Sequence, residues 1–197
     1  MEVNKVIKQV ATLLQLTNVI NANFDDFENA DSQTKKDVNL ILSSINEVLS
    51  DVATEFIPLK TSENITVSGG AFDLTTLSNT FYKLAKVHTN KKYSVDFETL
   101  IIENGSYKLD YFYLPEEYEL DDDIEEFDSR LTVYNLAFGV AAEFCAISGN
   151  YSEAEMWNSK FVSAMENCKK RRVASLKSRR WLWKKQSTHL SRALHIQ

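Results

Sequence analysis

Proline appears twice, glycine five times, cysteine twice and histidine three times in 197 residues, and no run approaches the length of apolar chain that crosses a bilayer. No internal repeat and no low-complexity linker interrupts the chain. Its beginning, MEVNKVIKQV, lacks the unbroken apolar core of a signal peptide, so a cytoplasmic site of synthesis and no membrane segment are expected. Cys145 and Cys168 fall on inward stripes of neighbouring helices, where a reduced thiol behaves as a small apolar group. His88, His189 and His195 are too dispersed to make a metal cluster. Ser68-Gly69-Gly70 lacks the lysine and the following helix of a phosphate loop, and no Gly-x-Ser-x-Gly elbow occurs. Catalysis, a cofactor and a bound metal are therefore not expected.

The charges that are present are unevenly placed. All 28 acids lie before residue 167, against 12 of the 22 lysines and arginines; residues 1–166 thus carry −16 and residues 167–197 carry +10, within a net −6. A division of this kind concerns partners rather than fold.

Val3, Val6, Ile7, Val10, Leu13 and Leu14 recur at helical spacing and predict an amphipathic first helix over 3–16. Residues 21–32 break the period and read as a loop. Asp31 or Ser32 is placed to cap a second helix reaching Phe56, with Val38, Ile41, Ile45, Val48, Val52 and Phe56 along its seam and Pro58 stopping it. From residue 57 the period changes to two, and strands are expected near 65–67, 81–88, 92–97, 99–102 and 106–113. Asn104-Gly105 between two apolar runs is a hairpin signal. Two further helices follow, about 131–148 and 152–172, joined at Ser148-Gly149-Asn150-Tyr151, with Ser152 and Glu155 at capping-box spacing. In the first, Val133, Ala137, Val140, Phe144 and Ile147 share one face, and Leu131, Leu136, Ala141 and Cys145 widen it. Ala137, Gly139, Ala141, Ala142 and Ala146 leave room for a neighbouring backbone, as a central helix requires.

The expected fold class is α+β: a four-helix framework with a small antiparallel β insertion between helices 2 and 3 and an extended basic C-terminal arm. The divisions are an N-terminal helical pair, 1–56; the β insertion, 57–115; an acidic turn and helical hairpin, 116–172, forming one domain with the first; and the arm, 173–197.

Two segments invite a functional reading. The stretch 116–128 holds nine acids, including Asp121, Asp122, Asp123, Glu125 and Glu126, without the glycine and the alternate carboxylates of a calcium loop. It reads as a solvated turn whose last members cap the third helix, or as the electrostatic mate of a basic arm. The arm sets Arg179, Arg180, Lys184 and Lys185 around Trp181 and Trp183. Indoles between cations suit a tail docking on a protein, with tryptophans as anchors; they also suit nucleic acid, where cations meet phosphates and indoles stack on bases. A fraying helix end is the third reading.

The sequence from 107 to about 170 also resembles the head-to-tail connector proteins of tailed bacteriophages, known as adaptor, ring or tail-tubular proteins. The similar elements are the aromatic strand ending at Leu114-Pro115, the acidic run, a helix with Tyr134-x-x-Ala137, the turn Gly149-Asn150-Tyr151, and a helix with Ala154-x-x-Trp157. The resemblance implies a structural virion protein at the head-tail junction. The ring the resemblance implies is homo-oligomeric, commonly twelvefold in such proteins, binds the portal and further tail or ring proteins, and lines the channel through which DNA leaves.

Overall fold

The computed structural model describes residues 1–169, and the arm expected at 173–197 lies outside the described residues. The class is α+β. Helix α1 (Val3–Leu14) leads through a short helix α2 (Thr17–Ile20) and a 3-10 segment (Phe24–Asn29) to α3 (Ser32–Asp51), which widens into a π turn (Val52–Phe56). The expected loop at 21–32 is therefore partly helical, with Phe24 buried and Asn23 accepting from the Asp25 amide. Asp31 caps α3: its Oδ1 accepts from the amides of Gln33 and Thr34, and its Oδ2 from the Thr34 hydroxyl. At the other end the Ile57 amide reaches back to Val52 O at 2.7 Å, closing the wide turn just before Pro58 ends the helix.

Six strands follow: β1 (Leu59–Val67), β2 (Ala71–Asp73), β3 (Phe81–Val87), β4 (Ser94–Asp96), β5 (Thr99–Ile101) and β6 (Gly105–Tyr113). They make two antiparallel sheets, ordered β1-β6-β3 and β2-β5-β4. The hairpin expected at Asn104-Gly105 does not form, because β5 and β6 belong to different sheets. Asn104 Oδ1 instead accepts from the Gly70 amide at 2.9 Å, tying the crossover to the turn after β1. The tight turn lies one step earlier, where Phe97 and Glu98 connect β4 to β5 with Phe97 at φ 49°.

Strand β3 departs from strict alternation. Register shifts after Phe81 and after Leu84 bring Phe81, Leu84 and Val87, three apart, to the inner face. This is why neither set of alternate residues in 81–88 is wholly apolar. Behind the sheet, Ile65, Val67, Tyr107, Leu109 and Tyr111 pack with Leu74, Leu77, Leu100 and Ile102 into a core of their own. The buried tyrosines are satisfied at their tips, Tyr107 donating to Glu103 O at 2.8 Å and Tyr111 to Glu63 Oε2 at 3.1 Å.

Helix α4 (Val133–Ile147) packs against both α1 and α3. Its buried side is Leu136, Ala137, Gly139, Val140, Ala141 and Cys145, so the line that ended in Ile147 is displaced and Ile147 itself is 52% exposed. Gly149, at φ 80°, lets the Asn150 amide reach Cys145 O while its own amide meets Ala146 O, the double closure of a Schellman ending. Residues 151–169 are helical. Ser152 lies inside this helix rather than capping it, since the Ala154 amide already bonds Asn150 O. Ala154, Phe161, Met165 and Cys168 are buried, and both cysteines are free thiols. Burial, with help from Glu153, lifts the Cys145 thiol to about 11, which keeps it protonated.

Candidate interaction surfaces

The acidic segment 116–128 is an extended strap held down by its apolar members. Ile124 is buried, and Tyr118, Leu120 and Phe127 pack on the helical core, while all nine carboxylates stay exposed. Asn46 of α3 pins the strap by a reciprocal pair: its side-chain amide donates to Tyr118 O at 3.1 Å and its oxygen accepts from the Tyr118 amide at 2.9 Å. The chain start pairs alongside. The Val3 amide bonds Asp122 O, the Ile124 amide bonds Met1 O, and the Met1 ammonium lies 3.4 Å from Asp123.

The last acids do not cap α4, contrary to expectation. Thr132 does, accepting from the Asn135 amide at 3.2 Å, whereas Asp128 accepts from the backbone and guanidinium of Arg130. Among the described residues Asp121 takes a long bond from Asn4, at 3.4 Å.

Between the strap and α3 lies a groove of about 610 Å³, lined by Asn39, Leu42, Ser43, Asn46, Glu47 and Glu116 among others. Glu116, Glu117 and Tyr118 continue it into a second hollow of about 260 Å³, where Asp122, Asp123, Glu125 and Glu126 complete the wall. The concavity is strongly negative. Partial burial and then the charge of Glu116 raise the Glu126 carboxyl above its ordinary range, and the Tyr118 phenol rises through burial and Glu126. A separate hollow of about 360 Å³ between α3, α4 and the last helix brings Asp51, Glu143 and Glu155 together. There Asp51 is raised by burial, Glu55 and Glu47, and Glu143 by burial, Glu47 and Asp51.

The sheet β1-β6-β3 offers the opposite sign. Its register places Lys60, Phe112 and Lys83 in one row, Ser62, Asp110 and Lys86 in the next, and Asn64 beside Lys108 in a third. His88 joins the third row, its amide bonded to Lys108 O. Asp110 is the one acid on this face. It accepts from Ser62 at 2.7 Å and from Lys60 and His88 at 3.0 Å, and these bonds, Ser62 first, hold its carboxyl far below the usual range. Lys83, Lys86 and Lys108 are exposed and make no ion pair among the described residues.

Residues 57–113 hold six lysines and six acids, so the −16 of residues 1–166 belongs wholly to the helices and the strap. The cationic face escaped the sequence reading because strict alternation sets Lys83 and Lys86 on opposite strand faces, whereas β3's bulges bring them to the same one. The clue was the lysine content of 81–92, four lysines and no acid.

Of the residues singled out in the sequence, Asp121, Asp122, Asp123, Glu125 and Glu126 come together on the strap, and Arg179, Arg180, Trp181, Trp183, Lys184 and Lys185 lie outside the described residues. Among the described residues no three histidines, cysteines or acids are placed to hold a metal ion, and no helix is long and apolar enough to cross a membrane. No protein-family model matches the chain, and no curated protein matches it.

Proposed function

We propose that this protein is a structural connector of a tailed-phage virion. Copies of it form a closed ring, dodecameric as the resemblance implies, between the portal and the tail at the head-tail junction. Each copy contributes a four-helix framework, a β insertion and an extended basic arm at 173–197. The observation that carries this reading is the segregation of charge: an acidic body of −16 followed by a cationic tail of +10 with Trp181 and Trp183 inside it. A repeated acidic subunit suits a channel for DNA, since carboxylates toward the lumen repel phosphates and let the duplex slide. The strap acids serve either that lumen or a subunit boundary. The arm fixes the ring to a different protein, the portal, with indoles seated in pockets and the flanking cations on an acidic rim.

Deleting residues 173–197 is expected to abolish attachment to the portal while leaving the circular dichroism and thermal transition of the body unchanged. Particles that assemble normally with the shortened protein would defeat the proposal. The arm's composition favours a second reading, a nucleic-acid-binding protein. That protein would retard DNA or RNA in a gel with an affinity falling steeply between two salt concentrations, whereas an indole-anchored docking arm binds nucleic acid weakly.

A further inference from the structure

We infer that the ring closes through two unlike surfaces of the same chain: the cationic face of the β1-β6-β3 sheet on one copy docks against the acidic groove between the strap and α3 on the next. The inference rests on the ring reading above and supplies its subunit contact.

The sheet face presents Lys83, Lys86 and Lys108 around a carboxylate, Asp110, that Lys60, His88 and Ser62 already occupy. Its surplus is positive, and Lys83, Lys86 and Lys108 form no ion pair among the described residues. The groove is its converse. Glu116, Glu117 and Glu125 are exposed on its wall and form no ion pair among the described residues, and Glu126 stands beside them, its carboxyl raised by partial burial and then by the charge of Glu116. Each surface lacks what the other has in excess.

Like charge forbids groove against groove and face against face, so no twofold axis passes through either surface. Face against groove is heterologous, and a heterologous contact repeated by rotation closes into a ring or runs on as a filament. A single exposed ion pair is worth little, but several facing a concave carboxylate surface set partner choice and register. Nucleic acid is the less favoured occupant. Phe112 on this face is half-buried, and the helices and strap around the face carry a strong negative charge that repels phosphates.

The test uses the full chain and two charge-reversed variants. One carries Lys83→Glu, Lys86→Glu and Lys108→Glu; the other carries Glu116→Lys, Glu117→Lys and Glu125→Lys. Native mass spectrometry is expected to find the wild type assembled and each variant alone monomeric. Mixed in equal amounts, they should regain an assembly with equal numbers of both, because each reversed surface then meets its complement. As a milder check, Lys83→Gln with Lys86→Gln should weaken assembly at least tenfold with an unchanged melting temperature.

A wild type that assembles together with a sheet variant that assembles equally well would overturn this contact and leave the ring standing. Loss of assembly that mixing does not restore would overturn it too. So would a sheet variant that loses duplex DNA binding yet still assembles, which would assign the face to nucleic acid. A wild type that stays monomeric at every concentration would remove both the contact and the ring.

Discussion

Gly139 fixes the closest approach in the helical core. A Cβ built there would lie 2.8 Å from Val48 Cγ1 and 3.0 Å from the Phe161 ring. Alanine would gain about 1 kcal/mol of helix propensity. It would also drive into Val48, a β-branched side chain that strongly prefers one rotamer in a helix. Overpacking of this kind costs roughly 1–3 kcal/mol, so Gly139→Ala is expected to destabilise the protein by about 1 kcal/mol net in a denaturant titration. A gain in stability would show that α3 and the last helix can move apart. The sequence placed the small residues on this helix correctly, but which of them meets a neighbour depends on two other helices. Ala142 and Ala146, on the same helix, line the open hollow that Gly139 also borders.

Helix ends were the features most open to local reading, and their outcomes divide by what each cap competes with. Asp31 was one of the two caps the sequence offered, and its carboxylate takes the Thr34 hydroxyl and two amides, which together hold its pKa down. Asp31→Ala removes the acceptor of two amides and should lower the thermal midpoint. Asparagine there should recover most of the loss. The acid run before α4 invited the same inference and failed. Backbone pairing with residues 1–3 and the Asn46 amide hold the strap flat, so that Thr132 reaches the amides first. The strands divide in the same way. In β6, alternation of Tyr107, Leu109 and Tyr111 with Lys108 and Asp110 reads directly as one dry and one wet side. In β3 the two bulges convert a period of two into a period of three.

At the scale of the whole molecule, carboxylates of two kinds set the response to acid. Glu126, Asp51 and Glu143 titrate above their ordinary range, so the folded state binds their protons more readily than the unfolded chain, and stability rises as pH falls through that window. Asp110, Asp31 and Asp73 are held low; their contribution is complete above the unfolded carboxylate range and is lost as pH falls through their folded values. The thermal midpoint should therefore climb modestly from pH 7 to about pH 5 and fall below about pH 4. Glu143→Gln should flatten part of the climb, and a steady decline from pH 7 would contradict the assignment. By itself the sequence determined the α+β class, the buried lines of α1 and α3 and the division of charge, because spacing and composition are properties of the chain read locally. Only the tertiary structure decided which strands share a sheet, where the acids turn, and that three lysines distant in sequence stand on one face. Those outcomes depend on long-range pairing and on bulges, for which neighbouring residues carry no code.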